Sequence, residues 1–207
     1  MYLTRLHLDP CSRKTILALN NFNFFHGAIE RSRVGEKSRI LWRIDSVNGQ
    51  YYLLIRSQER LETKRLEQQF GFLDEPAQAK EYDLIFTYLL PGSKWRFRVC
   101  ANPTRSVSNG SRGKITAHVS QFYELDWLKQ KGLAHGFSID EEVTQVTGSR
   151  WVNFKKKTKD EVSIKQVAFE GVLTVEDPDV FRQALCDGVG RGKAYGMGLL
   201  TIAPIRS

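Results

Sequence analysis

The chain has 207 residues, of which 41% are hydrophobic and 26% charged, as is usual for a globular protein of one medium or two small domains. No apolar run is long enough to span a membrane and the N-terminus lacks a signal-peptide pattern, so we expect a cytoplasmic protein. Lysine and arginine number 31 against 23 acidic residues, which gives a net charge of +8. This surplus attracts polyanions and favours a nucleic-acid partner over a surface that is merely basic.

The cysteines and histidines give no sign of a disulfide framework or a metal site. Cys11, Cys100 and Cys186 are odd in number, lie far apart and form no CxxC pair. The four histidines lack the spacing of metal ligands, and the sequence contains no HExxH motif. We therefore predict that the protein uses neither a metal ion nor any other cofactor.

The first half of the chain predicts the element order βαββαβ. Ser12 is a suitable N-cap for a helix that follows the first strand. Asn48-Gly49 is a strong signal for a tight hairpin between two strands. The alternating apolar residues of 82–88 predict a half-buried strand. The predicted elements are strands at 1–8, 39–47, 51–56 and 82–88, and helices at 13–19, 22–31 and 60–70.

The second half repeats the same kinds of element more loosely. Trp95, Phe97 and Val99 alternate with cationic residues, and residues 162–175 have the clearest period-two pattern of the chain. Asp177-Pro178 is typical of a helix N-terminus, and Gly188 would end that helix. The predicted elements are strands at 95–99, 142–147, 150–156, 162–175 and 199–203, and helices at 120–131 and 178–187.

The order of these elements predicts the fold class. Two helices on one face of an antiparallel sheet satisfy each βαββαβ order. We therefore predict an α+β protein of two tandem ferredoxin-like domains, residues 1–91 and 92–207, with the boundary at the Pro91-Gly92 turn. No internal sequence repeat supports this division, which depends on the order of elements alone.

The segment from Gly188 to Gly198 is unusual because five of its eleven residues are glycines. Glycine lets backbone N–H groups approach a phosphate, and Arg191 and Lys193 add positive charge. The segment is not a Walker A loop, since Ala194 follows Gly192-Lys193, and it lacks the spacing and direction of a GxGxxG fingerprint. A phosphate-facing loop and a plain helix C-cap with a connector both stay open. The glycines are Gly188, Gly190, Gly192, Gly196 and Gly198.

Two further stretches are rich in cations. TRSVSNGSRGK, residues 104–114, predicts a loop that becomes ordered on a nucleic-acid backbone. FKKKTK, residues 154–159, would place Lys155 and Lys157 on one face of a strand, where they could straddle phosphates. The alternative for both is a solvated surface loop. The candidate RNA contacts in these stretches are Arg105, Arg112, Lys114, Lys155, Lys156 and Lys157.

His26 is the histidine with the most distinctive setting, in NNFNFFHGAIERS. An imidazole titrates near neutral pH, so it can donate or accept a proton during phosphodiester cleavage. From its spacing alone, a structural histidine is the favoured interpretation.

Several segments together resemble a known family. They are MYLTRLHLDPCSR, the strands KWRFRVCANPTRS and QVAFEGVLTV, and the closing GVGRGKAYGMGLLTIAP, together with a histidine in an early helix. In this respect the chain resembles the CasE (Cse3, Cas6e) family, the CRISPR RNA-processing endoribonucleases of the type I-E Cascade complex. The resemblance covers nearly the whole chain and is weakest at 60–81 and 135–152. It implies two ferredoxin-like domains of the RRM-related RAMP type.

The resemblance also implies a reaction. It implies metal-independent cleavage of CRISPR repeat RNA (pre-crRNA) at the base of its stem-loop, by attack of a 2′-hydroxyl that leaves a 2′,3′-cyclic phosphate and a 5′-hydroxyl. The catalytic histidine of the family corresponds to His26, as acid or as base. Some relatives have a tyrosine three residues earlier, where this chain has Asn23, the candidate partner. Asparagine forms hydrogen bonds but cannot transfer a proton near neutral pH.

The same resemblance implies the partners. The protein would stay on the crRNA hairpin as a Cascade subunit, next to the backbone subunit at the crRNA 3′ end, with Arg191 and Lys193 as further RNA contacts. The alternative is a non-catalytic subunit of the same fold that only holds the hairpin, which the missing tyrosine favours. A general RRM-like binder would need aromatic RNP1 and RNP2 signatures, for which the sequence has no good match.

Overall fold

The structure is a computed structural model that describes residues 1–108, 114–155 and 161–205, with the backbone alone at 154–155 and 161–162. The chain forms mixed helices and antiparallel sheets, so the α+β prediction is confirmed. Within the described ranges, no helix is long and apolar enough to cross a membrane.

The N-terminal half contains one four-stranded antiparallel sheet. Its strand order is β2-β3-β1-β4, and β1 pairs with β3 over its whole length. Asn48 and Gly49 both have positive φ, as the predicted tight hairpin between β2 and β3 requires. The elements are β1 (Tyr2–Leu8), α1 (Arg13–Asn20), α2 (Asn23–Arg31), β2 (Leu41–Val47), β3 (Gln50–Ser57), α3 (Lys64–Phe70) and β4 (Gln78–Glu81).

The C-terminal half contains a second antiparallel sheet in the order β11-β5-β10-β8, with β9 also paired to β10. Asp177 caps α5 as predicted, because its Oδ1 accepts from the backbone N–H groups of Asp179 and Val180. The elements are β5 (Lys94–Ala101), β6 (Thr104–Val107), β7 (Lys114–Ala117), α4 (Gln121–Ala134), β8 (Phe137–Ile139), β9 (Gln145–Lys155), β10 (Glu161–Val175), α5 (Pro178–Asp187) and β11 (Leu200–Pro204).

The predicted strand at 82–88 is wrong. Asp83–Tyr88 is a 3-10 helix, and the fourth strand of the sheet is the earlier segment Gln78–Glu81. The period-two residues do not share a buried face, because Leu84 is 70% exposed whereas Ile85 and Phe86 pack against the core of the C-terminal half. The segment therefore links the two halves of the chain.

The loop predicted at 104–114 is also wrong in part. Thr104–Val107 and Lys114–Ala117 pair as an antiparallel ribbon, with Val107 opposite Lys114. Arg105 and Lys114 therefore lie on strands, where both are exposed. The strands predicted at 142–147 and 150–156 are one strand, β9, whose pairing with β10 shifts register at residues 168 and 169.

Two buried clusters form the core, one in each half. Phe22, Phe25 and Trp42 belong to the N-terminal cluster, and Phe169 and Phe181 to the C-terminal one. The clusters are not fully separate, because Val152 of β9 packs into the N-terminal cluster.

Candidate functional site

His26 lies on α2, whose buried face positions it. Phe25, Ala28 and Ile29 recur at helical spacing and are buried, so α2 packs this face into the N-terminal core. His26 follows Phe25 around the helix and is half-buried at the edge of that face. The helix therefore holds the imidazole at the boundary between core and solvent.

The glycine-rich segment packs directly against the elements beside His26. A 3-10 turn at Lys193–Tyr195 contacts both α2 and β2. Gly196 has a φ of 73°, and a Cβ there would lie 2.8 Å from Cζ3 of the buried Trp42 ring. At this position only glycine combines the left-handed backbone with the close approach.

This packing changes the interpretation of the five glycines. A Cβ on any of them would meet protein atoms within about 3 Å, and all five have positive φ. At Gly188, for example, the nearest atoms include Cδ1 of Leu41 at 2.8 Å. Gly188 and Gly196 thus allow the segment to pack on Leu41 and Trp42 of the N-terminal half, whereas the other three glycines allow it to pack on itself and on Trp127. The glycines are Gly188, Gly190, Gly192, Gly196 and Gly198.

His26 and Lys193, both predicted from the sequence, line one cavity of about 520 Å³, which we call the His26 cavity. Its other walls come from the connection between α2 and β2 and from β2 itself. Besides the imidazole of His26, the charged side chains that line it are Glu30, Arg33, Lys37, Arg39 and Lys193.

The cations of the His26 cavity are not equivalent. The guanidinium of Arg33 forms a bidentate pair with Glu30, at 3.1 and 2.9 Å, and also donates to the carbonyl of Ser38. Arg33 therefore fastens the connecting loop to α2. Burial lowers the pKa of Lys193, nearby Arg39 lowers it further, and Asp187 opposes the shift. Lys193 thus sits in a positive, partly dehydrated environment that favours an anionic ligand.

Arg31 lies close to His26 along the same helix. Nη1 of Arg31 lies 3.5 Å from the position that a Cβ on Gly27 would take, which is ordinary van der Waals contact. The guanidinium therefore lies against the residue that directly follows His26.

Asn23 lies three residues before His26, at the start of α2. Its backbone N–H donates to Oδ1 of Asn21 at 3.1 Å, and its side chain is partly buried. Asn23 is not among the described residues that line the His26 cavity. The structure therefore places the candidate partner on the same helix as His26 but outside the cavity wall.

The other predicted RNA contacts are spread over the C-terminal half. Arg105 and Lys114 are exposed on the β6–β7 ribbon. Arg191 is exposed and forms an isolated backbone bridge with Asn102. Of Lys155 the structure describes only the backbone, at the end of β9, and Arg112, Lys156 and Lys157 lie outside the described residues.

The sequence analysis missed part of the cavity wall. Arg33, Lys37 and Arg39 come from the run ERSRVGEKSR, residues 30–39, which connects α2 to β2. The density of cations directly after the helix of His26 is the signal that could have identified them. In the described ranges, no group of three or more His, Cys, Asp and Glu residues has a metal-binding arrangement.

Comparisons with known proteins identify relatives of the chain in sequence and in fold. The sequence profile of a family described as CRISPR associated protein matches residues 1–204. CRISPR-associated endoribonuclease Cse3 of Thermus thermophilus is 30% identical over 218 residues, covering 99% of this chain and all of the relative. A structure of the endoribonuclease Cse3 bound to a 19-nucleotide RNA superposes with a TM-score of 0.83, at 27% identity over 99% of this chain and all of the other. CRISPR system Cascade subunit CasE of Escherichia coli K12 is 30% identical over 118 residues, covering 53% of this chain and 57% of the relative.

Proposed function

Because the chain belongs to the CasE/Cse3 family of CRISPR-associated proteins, we propose that it is an endoribonuclease that cleaves CRISPR repeat RNA at the base of its stem-loop. The observation that carries the proposal is the His26 cavity. There a proton-transfer group on α2 lies among cations, one of which, Lys193, comes from the glycine-rich segment. The RNA-bound endoribonuclease Cse3 has the same fold, which supports the choice of substrate.

The proposed reaction needs only groups of this kind. The 2′-oxygen of the nucleotide on the 5′ side of the cut attacks phosphorus, and the bond from phosphorus to the 5′-oxygen breaks. The products are a stem-loop fragment that ends in a 2′,3′-cyclic phosphate and a second fragment, from the 3′ side of the cut, that begins with a 5′-hydroxyl. His26 gives a proton to the leaving 5′-oxygen, and solvent water takes the proton of the 2′-hydroxyl. Asn23 transfers no proton and is not among the described residues that line the cavity, so no step of this scheme depends on it.

Charge stabilisation in this scheme comes from side chains. The transition state places extra negative charge on the phosphoryl oxygens, and fixed cations in a partly dehydrated cavity stabilise it. Arg39 and Lys193 line the cavity, and Arg31 lies against Gly27 on α2, next to His26. We therefore propose that cleavage is independent of metal ions.

The stem-loop itself would be held outside the cavity. Duplex RNA is recognised mainly through its backbone and shape, so exposed cations suffice. Arg105 and Lys114 on the β6–β7 ribbon, together with Arg191, supply exposed charge on the C-terminal half. The remaining proposed contacts are Arg112, Lys155, Lys156 and Lys157.

After cleavage, we infer, the protein stays on the crRNA hairpin as a Cascade subunit. The Escherichia coli relative carries that name. Its neighbour would be the backbone subunit next to the crRNA 3′ end, in the cytoplasm where the transcript is made. Each protein molecule would then cleave about one RNA and would act afterwards as a cap on the guide RNA.

The two halves support a finer description of the fold. Read from the edge, the first sheet has the order β4-β1-β3-β2, and the second has the order β11-β5-β10, with both β8 and β9 paired to β10. With β9 taken as the second main strand of its half, the two sheets have equivalent orders. We propose two tandem ferredoxin-like domains of the RAMP type, residues 1–91 and 92–207. The linking 3-10 helix contacts both halves, because Asp83 pairs with the amino group of Met1 while Ile85 and Phe86 pack against the C-terminal core.

A second candidate function is a non-catalytic subunit that only holds the hairpin. One observation favours it: Asn23, which stands where some relatives have a tyrosine, cannot transfer a proton. This candidate predicts tight RNA binding without cleavage.

Incubation with repeat RNA in EDTA separates the two candidates. We expect the wild-type protein to cut the RNA and His26→Ala to lose at least about a hundredfold in rate, the usual contribution of a general acid or base. His7→Ala is the matched control, because His7 lies on β1 with its Nδ1 2.7 Å from Glu75. Uncut RNA with the wild type would leave the holding function, and normal cutting by His26→Ala would remove the site assignment.

A further inference from the structure

A second cavity lies on the other side of the glycine-rich segment. Its volume is about 310 Å³, and we call it the Lys131 recess. One wall comes from α4 and from Thr104, the first residue of β6. The glycine-rich segment forms the other wall. The residues that matter for its chemistry are Thr104, Trp127, Lys131, His135, Arg191 and Lys193.

The recess is positively charged. Lys131, Arg191 and Lys193 line it, and none of the described residues that line it is acidic. Within the described ranges, none of these three cations forms an ion pair with a carboxylate. Unpaired cations around a concave surface attract an anion, and a phosphate group is the anion that RNA offers.

His135 adds a polar group of fixed orientation. Its Nδ1 lies 2.7 Å from the carbonyl oxygen of Lys131, in the last turn of α4. A carbonyl only accepts hydrogen bonds, so Nδ1 carries the hydrogen and Nε2 remains for a ligand. Neutral Nε2 accepts from a hydroxyl, such as the 2′-hydroxyl of a ribose, and Thr104 offers a further hydroxyl in the wall.

The shape of the recess limits what can enter. A volume of 310 Å³ is at the lower end of the range of pockets that hold small ligands, about 300–1,000 Å³, and an A-form duplex cannot fit. Trp127 is 7% exposed, and Gly190 packs so closely on its indole that a Cβ at this position would lie 3.0 Å from Cη2. The recess therefore suits one unpaired nucleotide.

The recess continues the His26 cavity, because Lys193 lines both. A strand of RNA whose scissile phosphate lies beside His26 would reach the recess with a neighbouring nucleotide. We propose that the Lys131 recess binds the phosphate and ribose of the nucleotide on the 3′ side of the cut, the first of the leaving strand. This inference rests on the proposed function, in which the stem-loop lies on the 5′ side of the cut and only the leaving strand is unpaired.

The test compares two RNAs that cannot be cleaved because the attacking nucleotide is a 2′-deoxynucleotide. One ends at the scissile position, and the other continues for three nucleotides on the 3′ side. We expect the extension to tighten binding to the wild-type protein by about tenfold, as one well-formed contact to a charged group does. In Lys131→Ala/His135→Gln that advantage falls to within about twofold, while the affinity for the shorter RNA is unchanged.

Lys129→Ala is the matched control, because this substitution also removes one positive charge from α4. Lys129 pairs with Glu141 and does not line the recess. The variant should keep the full advantage of the longer RNA. Equal weakening for both RNAs in the double variant would overturn the proposal, because it would show a general electrostatic effect. A wild-type protein with equal affinity for the two RNAs would overturn it as well.

This outcome is independent of catalysis. Cleavage of the corresponding all-ribose RNA, followed in parallel, reports on the proposed function. Loss of cleavage with the binding difference intact would contradict the endoribonuclease and leave the subsite standing. A melting temperature within about 2 °C of wild type, measured for each variant, shows that the recess has not simply unfolded.

Discussion

The guanidinium of Arg43, on β2, donates to the carbonyl oxygen of Leu199 at 3.0 Å, across 156 positions of the sequence. The same side chain donates to the carbonyl of Arg98 at 3.1 Å and to the hydroxyl of Thr201 at 2.8 Å. Asp45 forms a bidentate pair with it, at 2.8 and 3.0 Å. One buried arginine of the N-terminal half thus binds two strands of the C-terminal half. Its bond to Leu199 lies one residue after the end of the glycine-rich segment.

Replacing Arg43 should therefore destabilise the whole protein. Arg43→Met leaves Asp45, which is only 13% exposed, without its main partner and removes three bonds between the halves. We expect a loss of about 3–5 kcal/mol in the free energy of unfolding, as for other broken buried pairs. Urea denaturation measures it. Arg96→Met, an exposed arginine of β5, should change the value by less than about 0.5 kcal/mol; similar losses in both variants would contradict the role of Arg43.

The glycine-rich segment gives a second stability prediction. Gly196→Ala places a Cβ 2.8 Å from the ring of fully buried Trp42 at a φ of 73°, so it suffers both backbone strain and overpacking. Gly92→Ala has a similar φ of 80° but open space around the Cβ. We expect about 1–2 kcal/mol of destabilisation for Gly92→Ala and about 1–3 kcal/mol more for Gly196→Ala.

Denaturation of both glycine variants under the same conditions isolates the packing contribution. Equal losses would mean that Trp42 moves aside and that the segment does not depend on this contact. The same comparison applied to cleavage tests whether Lys193, three residues earlier, needs the contact to stay beside His26.

Local patterns predicted most of the elements but not all of them. Residues 162–175 form β10 because apolar side chains alternate along a strand that is buried on one face, and Asp177 caps α5 as its side-chain chemistry requires. Residues 82–88 show the same alternation, yet Leu84 points to solvent while Ile85 packs on the other half of the molecule. The deciding contact was tertiary, so no local pattern contained it.

The candidate site was predictable as residues but not as an arrangement. His26 and Lys193 were each identified from their chemistry or from a family resemblance. The cavity that they share depends on the packing of Gly196 against Trp42. These two residues are far apart in the sequence, so no local pattern predicts their contact. Asn23 shows a different outcome, because it lies on the same helix three residues before His26 but is not among the described residues that line the cavity.

The role of His26 can be tested with a modified leaving group. In an RNA whose scissile 5′-oxygen is replaced by sulfur, the leaving thiolate needs no protonation, because a thiol is far more acidic than an alcohol. If His26 is the general acid, His26→Ala should cut this RNA at a rate within about tenfold of wild type, against a deficit of about a hundredfold or more with the normal RNA. Single-turnover cleavage measures both rates. A full deficit with the sulfur RNA would instead assign His26 to the attacking side or to charge stabilisation.

The lysines near the end of β9 give a prediction about salt. If Lys155 and Lys157 contact phosphates, each should release about one counterion when the stem-loop binds. Replacing both by alanine should then lower the slope of log affinity against log salt by about two units in magnitude, in addition to weakening binding at low salt. Titrations of a non-cleavable hairpin at several salt concentrations provide the slope. An unchanged slope would mean that these lysines are only solvated.

Lys193 gives the prediction on pH. Burial and nearby Arg39 lower its pKa, against the opposing effect of Asp187, so Lys193 loses its proton at a lower pH than an ordinary lysine. The charge that attracts phosphate is therefore present below this lowered pKa and is lost as the pH rises through it. Affinity for a non-cleavable RNA should therefore begin to fall at a lower pH than the ordinary lysine pKa of about 10.4 would give.

Lys193→Arg should remove this dependence, because a guanidinium stays charged throughout the range. We expect its affinity to be flat where that of the wild type falls, by about three- to tenfold. Lys129→Arg is the control, since hydrogen bonding to Glu141 raises the pKa of exposed Lys129 and the wild-type decline should persist in that variant. If affinity still declines with pH in Lys193→Arg, the group that titrates lies elsewhere in the interface and is not Lys193.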